Sequence, residues 1–201
     1  MKNLKIIRQT IIRFCEEFIK HPYLCYTEHG QHALFYSNLY AALPEAHRYI
    51  NCQQQKVCVI QKEYPTAEKL DKPRRQHWDI AVLREEKDQK YDYIKLLAAI
   101  EFGMNEAKEH LIEDIRRLEH TGSNVEHGFI VHLYRLSQAG QQFSGRDWSS
   151  GSTQILTLEQ VKELSKQTSI EIYYAMADST GTYKNGVWII HNEQIDPIVN
   201  A

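Results

Sequence analysis

Hydrophobic residues near the N-terminus recur at the spacing of two amphipathic helices. The first helix is predicted over residues 3–20 and ends at His21-Pro22, because proline disfavours helical backbone before it. Its apolar positions are Leu4, Ile7, Ile11, Phe14 and Phe18. The second helix is predicted to start at Thr27, which suits an N-cap, and to end before Pro44. Its apolar stripe consists of Leu34, Phe35, Leu39 and Leu43.

The middle of the chain contains short apolar runs of strand length, separated by polar segments. Strands are predicted at 57–64, 78–83 and 93–102, and the last is a nearly continuous apolar run typical of a buried central strand. A helix is predicted over 105–120 and a further strand over 128–134. This part of the chain therefore predicts three strands, a helix and a fourth strand.

The C-terminal part predicts a loop, a helix and a pair of strands. Residues 137–153 are rich in Ser, Gly and Gln, which is typical of a mobile loop. Thr157 and Gln160 have the spacing of a capping box and should open a helix that runs to about Lys166. Strands are predicted at 170–176 and 187–191. A turn at Asn185-Gly186 is expected to join them.

Composition supports one folded α/β domain over residues 1–201. The chain has 24 Lys and Arg against 26 Asp and Glu, so its net charge of −2 argues against a protein that coats nucleic acid through bulk charge. No apolar run approaches the roughly 18 to 20 residues that a bilayer requires, and charges interrupt the N-terminal helix too often for a signal peptide. All four cysteines lie in the first third without a close pair, which favours the reducing cytoplasm.

Four carboxylates occupy positions where a purely structural role is unexpected. Asp79 lies inside a predicted strand, Glu101 follows five apolar residues, Glu63 ends a strand and Glu28 lies in the first turn of a helix. A carboxylate in an apolar strand is costly unless a cation meets it. A shared Mg²⁺ ion would satisfy such a group of oxygen ligands. Gly103 should face the same side as Glu101 and leave empty space beside it.

The order of these elements and acids resembles the PD-(D/E)XK nuclease superfamily over about residues 27–135. Glu28 opens a segment similar to the first core helix, and Glu63 is similar to the end of the first core strand. Asp79 matches the aspartate of the motif, and Glu101 matches the acid of its (D/E)XK half. Residues 113–118 also resemble the helix that follows in several branches.

The resemblance implies a restriction-endonuclease-like αβββαβ core with an N-terminal helix and a C-terminal helix plus β-hairpin at about 154–195. It implies Mg²⁺-dependent hydrolysis of phosphodiester bonds, with Mn²⁺ as a substitute ion and DNA favoured over RNA. The implied metal ligands are Asp79, Glu101, Glu63 and Glu28. The resemblance also allows a homodimer, since many duplex-cutting enzymes are dimeric.

The chain departs from the motif at its lysine, because Gly103 stands at that position. Lys108, in the following helix, or Lys62, beside Glu63, would have to replace it, and regular strand alternation favours Lys108 because it turns Lys62 away from Glu63. The predicted catalytic set is therefore Asp79, Glu101, Glu63 and Lys108. The alternative is a catalytically degenerate member of the fold that binds nucleic acid or protein.

Positive charge is concentrated just before Asp79. The loop carries Lys69, Lys72, Arg74 and Arg75, of which Lys72, Arg74 and Arg75 are predicted to contact nucleic acid, with Arg116-Arg117 adding to that surface. An ordinary solvated loop would explain the same charges.

The sequence is compatible with three other interpretations. His29 and His32 could share one helix face and bind zinc, although solvated surface histidines are commoner. Cys25 or Cys58 with a histidine could form a nucleophile pair, although structural cysteine is commoner. An unrelated α/β protein could also resemble the superfamily by accident, in which case Asp79 and Glu101 should lie far apart.

Overall fold

The computed structural model describes residues 2–52, 54–84, 95–136, 155–166 and 168–200. Within these ranges the helices are α1 (Lys2–Lys20), α2 (Glu28–Ala42), α3 (Lys108–Glu119) and α4 (Leu158–Ser165), with a short 3-10 turn at Glu45–His47. None of the described helices is long and apolar enough to cross a membrane. The predicted loop at 137–153 lies outside the described residues.

The described strands form a large sheet and a small hairpin. The hairpin consists of β1 (Tyr49–Cys52) and β2 (Gln55–Cys58). The large sheet contains β3 (Ile60–Pro65), β4 (His77–Leu83), β5 (Leu96–Met104), β6 (Val125–Leu136), β7 (Glu171–Asp178), β8 (Gly186–His191) and β9 (Gln194–Asn200), in that spatial order. The pairs β5–β6 and β6–β7 are parallel, and the other four are antiparallel. The predicted mixed α/β class is confirmed, with a mostly antiparallel sheet.

Helices cover both faces of the large sheet. Phe102 of β5 packs edge-on against Phe14 of α1 and Phe35 of α2, with ring centroids 5.7 and 5.2 Å apart respectively. Neighbouring strand residues point to opposite faces, so Glu101 faces the other side, where it meets Arg117 of α3. Helix α4 lies on that second side too, because the Tyr174 hydroxyl donates to the carbonyl of Leu156 just before it.

The predicted starts of α2 and α4 are confirmed, and both rest on side-chain caps. The Thr27 hydroxyl accepts a hydrogen bond from the Gly30 amide at 3.1 Å, which satisfies an otherwise unpaired donor in the first turn of α2. Thr157 and Gln160 form both hydrogen bonds of a capping box at the start of α4. The cap at Thr27 fixes where α2 begins, and Glu28 is its first residue.

Two parts of the strand prediction are wrong. The predicted strand at 57–64 is divided at Val59, whose amide donates to Arg48, and its first half pairs with β1 in the separate hairpin. No two-residue turn at Asn185-Gly186 joins β7 and β8. Instead the Asp178 carboxylate accepts the amides of Thr180, Thr182 and Tyr183 and shapes a loop over residues 179–185.

Candidate metal site

Acidic side chains from three elements converge where β5 ends and helices α2 and α3 begin. Asp79 comes from β4, Glu101 from β5 and Glu28 from the first turn of α2. The Asp79 carboxylate accepts the Phe102 amide at 2.8 Å, so the backbone of β5 fixes its orientation. Glu28 acts electrostatically on Asp79 and reaches the backbone of Met104. The structure therefore brings together three of the four predicted acids.

The carboxyl groups of Asp79 and Glu101 lie close enough to share a proton. Glu101 is almost completely buried, and its Oε1 has no hydrogen-bond partner among the described residues. Burial raises the pKa of Glu101 well above its usual range, and the charge of Asp79 raises it further. A buried carboxylate that lies near a second carboxylate and has one oxygen without a donor is stabilised by a proton or a cation.

Arg117 supplies one positive charge to this cluster. Its guanidinium contacts Glu101 Oε2 and Asp114 Oδ1, each at 2.8 Å, and Asp114 is itself buried. The sequence identified a basic pair at 116–117 but placed it on a nucleic-acid surface. The need for a cation near Glu101 was visible in the sequence, whereas the rotation that turns Arg117 inward depends on how α3 packs on the sheet.

His110 closes the cluster on the side of α3. Its Nδ1 lies 3.2 Å from Asp114 Oδ2, and this contact raises the pKa of His110 to about 9 against the opposing effect of burial. Burial, followed by the charges of Asp79 and Glu106, raises the pKa of Glu28. The Asp79–Glu101 pair is therefore surrounded by both cationic groups (Arg117 and His110) and a further acid (Glu28).

The expected empty space beside Glu101 is filled by His132. A Cβ atom at Gly103 would lie 2.4 Å from Cδ2 and 2.5 Å from Nε2 of His132. The parallel register pairs Gly103 with His132, so both face the same side of the sheet. Burial lowers the pKa of His132 to about 3, so the ring is neutral. The expectation of vacant space is wrong because the neighbouring strand contributes a large ring there.

The two candidate replacement lysines lie in different environments. Lys108 opens α3 with an exposed side chain, and the electrostatic partners of Glu101 are Asp79, Arg117 and Asp114. Lys62 Nζ lies 3.5 Å from Glu63 Oε1. The expectation that Lys62 points away from Glu63 is wrong, because Glu63 has a φ of +53° and interrupts the regular alternation of β3. Lys62 also acts electrostatically on His32, so it lies near the histidines of α2.

Glu63, the fourth predicted acid, approaches histidines of α2. Donor atoms of His29, His32 and Glu63 all lie within 4.8 Å of one another, and no other such group of three occurs in the described part of the chain. Glu63 Oε1 is 3.9 Å from His29 Nδ1. His32 is the link to the carboxylate pair, since its Nε2 lies 3.8 Å from Asp79 Oδ2. The sequence considered these histidines but missed Glu63 as their partner, because pairing across elements depends on the tertiary fold.

The basic loop is partly neutralised by acidic residues. Lys69, Lys72, Arg74 and Arg75 are exposed. Lys72 Nζ contacts Glu113 Oε1 at 2.8 Å, so its charge is not fully available to a ligand. Arg116 likewise contacts Asp71 at 3.0 Å. Of the three predicted nucleic-acid contacts, Arg74 and Arg75 are therefore better able than Lys72 to bind a phosphate.

No protein-family model, curated protein or solved structure matches this chain. Functional interpretation therefore rests on the residues and geometry of the site itself.

Proposed function

We propose that the protein hydrolyses phosphodiester bonds of DNA with Mg²⁺ held by Asp79 and Glu101. The observation that carries this proposal is the convergence of these two carboxylates on neighbouring strands, with Glu101 Oε1 lacking a hydrogen-bond donor. A large distance between Asp79 and Glu101 would have contradicted the nuclease hypothesis. Their proximity supports the resemblance to the PD-(D/E)XK superfamily at the residues that define its motif.

The donor atoms fit a hard divalent cation. Asp79 and Glu101 offer carboxylate oxygens, which Mg²⁺ prefers, and Glu28 adds a further acid within electrostatic reach. When bound, Mg²⁺ would polarise the scissile phosphate and lower the pKa of a coordinated water. Mn²⁺ should substitute, because it accepts the same oxygen ligands.

The protein itself orients and balances this acidic pair. The Phe102 amide holds Asp79, and Arg117 neutralises one oxygen of Glu101 while leaving Oε1 for the cation. Glu28, whose pKa is raised by burial and then by the charges of Asp79 and Glu106, would accept a proton from the attacking water. Lys62 would replace the motif lysine, whose position is occupied by Gly103, and would stabilise negative charge on the phosphate.

The topology supports a restriction-endonuclease-like core. Helix α2 is followed by the small β1–β2 hairpin, then by the antiparallel strands β3, β4 and β5, and then by α3 and the parallel strand β6. Apart from the inserted hairpin, the elements occur in the αβββαβ order that the resemblance implies. We therefore propose that fold for about residues 27–135, with β7–β9 and α4 as an extension.

Exposed arginines beside the site suit a polyanionic substrate. Arg74 and Arg75 precede β4, the strand that carries Asp79. Their charges would contact phosphates and position the duplex without reading its sequence. We further propose a cytoplasmic location, because Cys15, Cys25, Cys52 and Cys58 form no disulfide. Homodimerisation stays a prediction that sedimentation would test.

The experiment is incubation of the full chain with supercoiled plasmid, linear duplex, single-stranded DNA and RNA, in Mg²⁺ or in chelator. We expect cleavage of DNA in Mg²⁺, none in chelator and none with Glu101→Gln. Wild-type protein that cuts no substrate in Mg²⁺ or Mn²⁺ would contradict the proposal.

A binding module of the same fold is the second candidate. Two observations favour it: Arg117 already pairs with Glu101, and the neutral His132 ring occupies the space beside Gly103. This candidate predicts DNA binding that is unaffected by chelator and by Glu101→Gln, with no cleavage. A gel-shift assay on the same samples separates the two.

A further inference from the structure

We propose a second cation site, formed by His29, His32 and Glu63, that binds a first-row transition ion such as Zn²⁺. Its three donor atoms lie within 4.8 Å of one another. The site adjoins the Asp79–Glu101 pair, because His32 Nε2 lies 3.8 Å from Asp79 Oδ2, but it offers two nitrogen ligands where that pair offers only oxygen. The inference does not depend on the proposed nuclease activity.

Two structural elements bring the three ligands together. His29 and His32 are three residues apart on α2, so their side chains lie on the same side of the helix, with ring centroids 5.6 Å apart. Glu63 reaches them from β3, with Oε1 3.9 Å from His29 Nδ1. Zinc ligands at about 2.0–2.2 Å from the ion lie roughly 3.3–3.6 Å from one another in tetrahedral geometry. Small rotations of side chains would therefore close the site.

The rotations needed to close the site involve the exposed side chains of His29 and Glu63. The His29 side chain is 77% exposed and that of Glu63 is 46% exposed, so both have room to rotate. Lys62 Nζ, 3.5 Å from Glu63 Oε1, is the cation that an incoming ion would displace. His32 is fixed by burial and would serve as the anchor.

His32 gives independent support for a ligand at this position. Its side chain is 1% exposed, yet neither ring nitrogen has a hydrogen-bond partner among the described residues. A buried imidazole without partners is unfavourable, because it has lost its hydrogen bonds to water. Its Nε2 lies 3.9 Å from Glu28 Oε1 and 3.8 Å from Asp79 Oδ2, both beyond hydrogen-bond distance. A cation at this nitrogen would also be attracted by those carboxylates.

Ligand chemistry sets the preferred ion. Imidazole nitrogen favours Zn²⁺ and other first-row transition ions, whereas Mg²⁺ selects oxygen and water. Two histidines and one glutamate are a set that binds zinc with a coordination position left for water or substrate. The two sites should therefore differ in ion preference, with Zn²⁺ bound at the histidines and Mg²⁺ bound at the carboxylate pair.

The test is calorimetric titration of Zn²⁺ into the full chain, with His29→Ala and Glu63→Gln as the two variants. Both residues are well exposed, so the variants should fold as the wild type does. We expect one Zn²⁺ ion bound by the wild type and an affinity more than about tenfold lower in each variant, since even the outer partners of metal ligands contribute that much. His21→Ala, an exposed histidine outside the group, should bind Zn²⁺ like the wild type.

The outcomes separate this site from the proposed nuclease. Zn²⁺ binding that persists in Glu101→Gln and falls in His29→Ala supports the inference, even if no variant cleaves DNA. Absence of Zn²⁺ binding by the wild type overturns it. Equal affinities of the wild type, His29→Ala and Glu63→Gln also overturn it. Substitution with Co²⁺ adds a spectroscopic check, because the visible absorption of Co²⁺ should change in His29→Ala and stay constant in His21→Ala.

Discussion

At the scale of single residues, the site depends on buried groups whose partners come from distant parts of the chain. The sequence placed Asp79, Glu101, Glu63 and Glu28 as unusual acids, and the structure gathers Asp79, Glu101 and Glu28 around one end of β5. It assigned Arg117 to a nucleic-acid surface and did not identify His132, because the roles of these two residues follow from packing and strand register, which residue spacing does not encode.

Gly103 and His132 should be energetically coupled. Gly103→Ala should lower the free energy of unfolding by about 1–3 kcal/mol, because its new methyl group would overlap the His132 ring. The double variant Gly103→Ala/His132→Ala should lose less free energy of unfolding than the sum of the losses in the two single variants. Urea unfolding of the four proteins measures this coupling. Additive losses would show that the ring does not occupy the space at position 103.

Arg117 should be required for the stability of the buried acids. Arg117→Met should lower the free energy of unfolding by about 3 kcal/mol at pH 7, because it leaves Glu101 and Asp114 without their shared cation. The double variant Arg117→Met/Glu101→Gln should recover part of that loss. Arg116→Met is the matched control, since Arg116 forms an exposed pair with Asp71. Equal effects of the two arginine changes would contradict this account.

His132 should make the protein sensitive to acid. Its pKa is about 3 in the fold against an ordinary value of 6.5, so the unfolded chain binds the proton more readily. Its contribution to stability is present above pH 6.5 and is lost as the pH falls towards 3, at about 1.4 kcal/mol per pH unit. His132→Leu should therefore show a shallower loss of stability over this interval in urea titrations. An unchanged slope would contradict burial of a neutral ring.

At the scale of elements, helices were easier to predict than strands. The spacing of apolar residues and the caps at Thr27 and Thr157 located α1, α2 and α4 within about two residues. The strand prediction at 57–64 missed the break at Val59, because its apolar run continues through the break. Strand β1 was missed because it has only four residues, and β9 was missed because polar residues and a proline interrupt its apolar positions.

The cap of α2 should affect both folding and metal binding. Thr27→Ala should lower the free energy of unfolding by about 1 kcal/mol, because the Gly30 amide loses its acceptor. It should also weaken Zn²⁺ binding, since α2 positions His29 and His32. Thr157→Ala removes an equivalent cap from α4 and serves as the control. The two variants should lose similar stability, and only Thr27→Ala should bind Zn²⁺ more weakly. Equal Zn²⁺ affinities would contradict a role of the cap in the site.

At the scale of the whole molecule, the topology explains why the acids meet. Antiparallel β4 and β5 bring Asp79 beside Glu101, while the parallel crossover through α3 carries Arg117 back over the same strands. The sequence predicted a core of this order together with a C-terminal helix and hairpin. It could not show that β7, β8 and β9 continue the same sheet, because strand pairing between distant segments leaves no local pattern.

The role of Asp79 in holding the metal is tested by Mg²⁺-dependent cleavage of DNA by Asp79→Asn, measured beside the wild type and Asp196→Asn. Asp196 is an exposed acid on β9, so its variant controls for the loss of one negative charge. We predict cleavage by the wild type and by Asp196→Asn, and a loss of at least about 100-fold for Asp79→Asn, with a normal unfolding transition. Cleavage by Asp79→Asn at the wild-type rate would contradict the assignment of the metal to this carboxylate pair.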